Sequence, residues 1–214
     1  MRKLLLVGSF SALFLLGACS GSGMSGDLDA VLNDTFDAEE EYRDVQEDLE
    51  KREKDEQKLF EEIMALTQEE QDQVAKQAKE ALGSADERLE LLKTEKESIQ
   101  SAEEKSADID QLTEDADEES VKADLEALQA KMQERFAAHG EFAKAYEQLI
   151  GHQKELYKML KDEKTNLQAL QEKAAEVNKQ NEQVQVAVTE FNELTEQVNQ
   201  LKDETMKKLK EKEQ

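Results

Sequence analysis

From Leu28 onward the apolar residues recur at alternating intervals of three and four. Leu28, Val31, Thr35, Ala38, Tyr42, Val45, Leu49, Arg52, Glu56, Leu59, Ile63 and Leu66 form one seam, the spacing that keeps one face of an α-helix against a partner helix. Arg52 and Glu56 lie on this seam one turn apart, and a locally splayed, solvated seam accounts for them better than a buried ion pair. Thr67-Gln68-Glu69-Glu70 then matches a capping box, which predicts a new helix start. A second seam runs through Ala75, Ala78, Leu82, Ala85, Leu89, Leu92, Lys96 and Ile99. Residues 106–120 lose the period and gain seven acids from Asp108 to Glu119, which predicts the main reversal of the chain.

The third seam is Val121, Leu125, Leu128, Met132, Arg135, His139, Phe142, Tyr146, Leu149, Gln153, Leu156 and Leu160. Thr165-Asn166-Leu167-Gln168 offers a second capping box. After it come Leu167, Leu170, Ala174, Val177, Asn181, Val184, Val188, Phe191, Thr195, Val198, Lys202, Thr205 and Leu209. Asn181 on a seam fixes register at some loss of stability. The pattern predicts an all-α fold, either an elongated antiparallel bundle of four segments of about 40 residues or a long coiled-coil hairpin folded once at the acidic stretch. Two capped restarts would be coincidental in a plain hairpin, so the bundle is the better reading. A seam does not say whether its partner comes from the same chain or from a second copy, so a homo-oligomer stays open.

Composition supports uninterrupted helices. The chain has no proline or tryptophan, and beyond residue 26 its only glycines are Gly83, Gly140 and Gly151. Charge changes the picture further: 52 acids against 28 basic residues give a net charge of −24. High charge alone would suit disorder, but sustained seams argue for packing. The same charge excludes direct binding to nucleic acid or to anionic lipid headgroups.

The first residues follow another pattern. Arg2 and Lys3 precede a mostly apolar run over residues 4–16, and Leu16, Gly17 and Ala18 lead into Cys19, the chain's single cysteine. Thirteen residues of helix span about 20 Å, short of the roughly 30 Å hydrocarbon core. The layout is that of a lipoprotein signal peptide over 1–18, with Leu16, Gly17 and Ala18 as lipobox and Cys19 as the lipidated residue. A diacylglycerol on Cys19 would anchor the chain to the membrane, since each buried methylene contributes about 0.8 kcal/mol and two chains suffice. Residues 19–26 read as lipidated cysteine and flexible tether, and 27–212 as a single helical domain. The expected place is the extracellular face of the cell membrane.

The sequence predicts no catalytic residue, cofactor or metal. His139 and His152 are thirteen apart, and no His-x-x-x-His pair, Glu-x-x-His motif, phosphate loop or serine elbow occurs. His139 and two of the tyrosines, Tyr42 and Tyr146, are on seams, so core packing accounts for them, and Tyr157 alone carries no site. The acidic stretch lacks the glycine and acid that a calcium loop requires.

Residues 50–66 (EKREKDEQKLFEEIMAL), 89–102 (LELLKTEKESIQSA) and 154–160 (KELYKML), with a looser stretch from Phe191 to Asp203, carry a resemblance. With the lipobox and the order of segments, the chain resembles the YkyA-type lipoproteins of low-GC Gram-positive bacteria, a family regarded as cell-wall binding. The resemblance implies an exported, wall-associated lipoprotein. The expected role is then a non-enzymatic interaction protein that engages peptidoglycan or an envelope protein, with a helical adaptor of an envelope protein or wall enzyme, without wall affinity of its own, as the alternative. The resemblance brings no binding residues with it. Teichoic acids are anionic like the chain itself, so its charge disfavours them as direct ligands.

Overall fold

The computed structural model describes residues 23–213. Four long helices follow the four predicted segments: α2 (Glu40–Ala65), α3 (Gln71–Ser106), α5 (Glu119–Lys161) and α6 (Leu167–Lys212). Two shorter helices accompany them, α1 (Met24–Ala38) before α2 and α4 (Ile109–Asp115) between α3 and α5. No strand occurs among the described residues. The fold is all-α, and the chain turns at 66–70, 107–118 and 162–166, so the four-segment reading holds and the single hairpin does not.

Both capped restarts exist, with one change of residue. At the first, the Thr67 side chain and the Glu70 backbone, and the Glu70 carboxylate and the Thr67 N–H at 2.9 Å, form a capping box, and the carboxylate also accepts the Thr67 hydroxyl at 2.9 Å. At the second the cap is Asn166, not Thr165. Asn166 Oδ1 accepts the Ala169 N–H at 2.9 Å, while the Thr165 N–H closes the preceding turn on the Asp162 carbonyl. Asparagine caps as well as threonine, and the turn geometry decides between them. Asn166→Ala should therefore lower stability by about 1 kcal/mol, read as a shift in urea midpoint, whereas Thr165→Ala should leave the midpoint nearly unchanged.

Contacts group the described residues into two helical units. The first comprises residues 44–94 and 142–187, where α2 turns into α3 and α5 turns into α6. Within it Glu62 meets Gln77 across the first turn and Glu155 meets Lys173 across the second, so both pairs run antiparallel. The second unit comprises residues 23–43, 95–141 and 188–213. Its core gathers Leu28 and Leu32 of α1, Ile109 of α4, Leu125, Leu128 and Met132 of α5, and Val198 of α6, all at most 3% exposed. Burying each such leucine fully contributes roughly 1.5–3 kcal/mol.

Three features of the second unit depart from the seam pattern. The helix breaks at Glu39, where one unbroken seam is expected. Ser98 repairs the break: its hydroxyl donates to the Ala38 carbonyl at 2.7 Å and accepts the Tyr42 N–H at 3.0 Å. Arg43 donates to the Phe36 carbonyl at 2.7 Å and lies over the Phe36 ring, so the backbone groups freed by the break are partnered. The acidic reversal is also no bare solvated turn, because α4 forms within it and buries Ile109 and Ala116. Finally, residues 24–26, expected in the tether, belong to α1. Gly23 takes a positive φ of 101° and α1 starts at Met24, with buried Ser25 donating from its N–H and hydroxyl to the Glu213 carboxylate. Those two bonds give the first turn of α1 the acceptor that a helix N-terminus needs.

Candidate functional site

Each unit buries a charged layer. In the second unit Arg135 of α5 grips Glu39 with two hydrogen bonds of 2.6 and 3.1 Å and donates its Nε to Thr195 of α6 at 2.9 Å. Thr195 passes its own hydroxyl hydrogen to the Phe191 carbonyl. His139 Nε2 lies 2.8 Å from Glu95, and its ring packs edge-on against Tyr42 and Phe191. Burial, with Glu95 next in effect, pushes the Tyr42 hydroxyl well above its ordinary pKa. Tyr42 and His139 are therefore core residues, as their seam positions predict.

The first unit is less balanced. Arg88 donates to Glu56 at 3.1 Å and to Gln153 at 2.9 Å; the Tyr146 hydroxyl donates to Glu53, and that of Tyr157 donates to Glu56 at 3.2 Å. Two buried carboxylates thus share one guanidinium. Glu53 Oε2, Glu56 Oε1 and Arg88 Nε have no hydrogen-bond partner among the described residues. Burial pushes the Glu53 carboxyl up to about 7, against the pull of Arg88, and raises Glu56 as well. Arg52 is no part of this layer. Half-exposed, it pairs with Glu87, and Glu56 takes Arg88 instead, so the splayed seam expected at 52–56 is closed by a partner from α3.

Three openings on the surface are lined by other residues. In the first unit an apolar groove of about 260 Å³ lies between α2, α5 and α6, walled by Phe60, Met64, Leu156, Leu160, Leu167 and Leu170. A wider opening of about 640 Å³ shares Met64, Leu160, Leu167 and Leu170 and reaches the turns, where Thr67, Gln71, Asp162 and Glu163 form its polar side. In the second unit a groove between α5 and α6 is edged by Glu134, Glu141, Glu190 and Glu193. Among the described residues no group of histidines, cysteines or acids is arranged to hold a metal, and no helix is long and apolar enough to cross a membrane. Leu16, Gly17, Ala18 and Cys19, the predicted lipobox and lipid site, lie outside the described residues.

The YkyA family model, with the description "Putative cell-wall binding lipoprotein", matches residues 25–208. The chain belongs to the YkyA family. No curated protein and no solved structure matches it. The match runs from the first turn of α1 into the last turns of α6, so both charged layers and all three grooves lie within the YkyA part of the chain. Sequence reasoning placed Arg135, His139, Tyr42 and Tyr146 on buried faces but missed Glu39, Glu53, Arg88 and Glu95. Their signal was faint: each is one residue from a seam position held by a neighbour, and each meets its partner on another helix.

Proposed function

We propose that this YkyA-family chain is a non-enzymatic surface lipoprotein, tethered through a diacylglycerol on Cys19 to the extracellular face of the cell membrane, that engages the cell wall through its helical body. The observation that carries the reading is the family match over nearly all of the helical body, and the lipobox of Leu16, Gly17 and Ala18 before the single cysteine supports the tether. Charge narrows the ligand. With a net charge of −24, the chain suits peptidoglycan or a cationic envelope protein better than anionic teichoic acid.

Co-sedimentation of residues 23–214 with purified sacculi tests this. Pelleting on bare peptidoglycan should survive high salt, and attached teichoic acid should weaken it at low salt, where repulsion is least screened. An absence of pelleting under every condition would remove direct wall binding and leave the adaptor of an envelope protein, a reading that the apolar grooves favour.

A further inference from the structure

Met64 and Leu167 are 42% and 68% exposed; with Val186 they are the large apolar residues that stand exposed among the described residues. Met64 and Leu167 come from different helices, α2 and α6, yet both line the two connected openings at the turn end of the first unit. Leu167 is a predicted seam residue that no helix of this unit covers. The smaller groove, about 260 Å³, is close in size to the lower end of small-molecule pockets, about 300 Å³. An apolar lining contributed by three helices suits the apolar anchors of an amphipathic helix.

Charge selects the occupant. Asp162 and Glu163 stand on the polar side of the wider opening, and exposed Glu69 and Glu70 lie on the turn beside Thr67 and Gln71. No lysine or arginine is among the residues lining either opening, although Lys161, the last residue of α5, and Lys164 flank Asp162 and Glu163 in the chain. A second copy docking through this face would bring Asp162 and Glu163 of both chains together. An anionic membrane would be repelled in the same way.

We propose that this groove is a docking site for a cationic amphipathic helical segment of an envelope protein, its apolar side seated on Met64 and Leu167 and its basic side facing Asp162 and Glu163. The proposal deepens the envelope-interaction reading and rests on it.

The test uses the full chain held in zwitterionic nanodiscs, with empty nanodiscs subtracted, titrated against a labelled amphipathic helix of leucine and lysine and against its leucine–glutamate counterpart. Fluorescence anisotropy should show saturable binding of the lysine peptide only. Leu167→Glu should weaken it by about tenfold or more. Joint replacement Asp162→Asn and Glu163→Gln should weaken it less and flatten its salt dependence. Val186→Glu, at another residue 68% exposed but away from both openings, should leave binding unchanged. Circular dichroism confirms that each variant is folded, and the neutralised pair carries the test should Leu167→Glu fail to fold.

Equal binding of both peptides, binding of neither, or indifference to all the groove substitutions would overturn the proposal. So would sedimentation showing a dimer that Leu167→Glu dissolves. Sacculus pelleting of the same variants separates the two readings: pelleting without peptide binding leaves wall engagement standing and removes the groove, whereas peptide binding without pelleting does the reverse.

Discussion

Arg135→Met is expected to lower the free energy of unfolding by about 3–5 kcal/mol, read from urea titrations followed by circular dichroism. The Arg135 side chain is 1% exposed and its Glu39 partner 3%, so the substitution leaves a carboxylate buried without its cation. The loss extends past the ion pair, because the same guanidinium serves Thr195 and lies 4.8 Å from the Phe191 ring centre. Glu39 also sits at the α1–α2 break, so unpairing it loosens the corner that Ser98 and Arg43 hold. Joint replacement of Glu39 and Arg135 by methionine should recover most of the loss, since two apolar side chains leave no charge to desolvate. A deficit below about 1 kcal/mol for the single variant, the range of an exposed pair, would show that water reaches this site.

Arg135 also marks where sequence reasoning succeeds and where it stops. In α5 and α6 most of the predicted seam residues are buried, from Val121 to Leu156 and from Val177 to Leu209, with Phe142, Gln153 and Val188 half-buried and Ala143 buried beside Phe142. Those helices carry enough apolar residues to fix the face by themselves. In α1, α2 and α3 alternate positions shift by one residue. Leu28, Thr35, Tyr42, Leu49 and Ile63 are buried as expected and Glu56 is buried where a solvated seam is expected, but Leu32, Glu39 and Glu53 replace Val31, Ala38 and Arg52 between them. In α3, Ala81, Arg88 and Glu95 replace Leu82, Leu89 and Lys96 in the same way. Reading one helix at a time favours the more apolar or less acidic neighbour. The fold selects instead the residue whose charge is met from elsewhere, Glu39 by Arg135, Glu53 by Tyr146 and Glu95 by His139. Such a choice depends on pairs 44 to 96 residues apart. The groove was hidden for the opposite reason: a periodic Leu167 reads as core, and only the packing reveals that it is uncovered.

The first unit should lose stability as pH rises from about 4.5 to about 7, by something near 3 kcal/mol, and Glu53→Gln should abolish most of that slope. The sign follows from the direction of the shift. Burial raises the folded Glu53 carboxyl from its ordinary 4.5 to about 7, so between those values the folded chain holds a proton that the unfolded chain has released. Stability is fully present below the lower value and fades as pH climbs through the upper one. Carboxylates held down by Lys173, such as Glu155 and Glu176, act in the opposite sense, and the stability they contribute fades as pH falls. Glutamine at position 53 keeps an acceptor for the Tyr146 hydroxyl and leaves Arg88 and Glu56 as a one-to-one pair. The variant should therefore be more stable than the parent at pH 8 and nearly equal to it at pH 4.5, with melting temperature against pH as the readout. An unchanged slope in Glu53→Gln would place the shared proton elsewhere, on Glu56, whose carboxyl burial also raises.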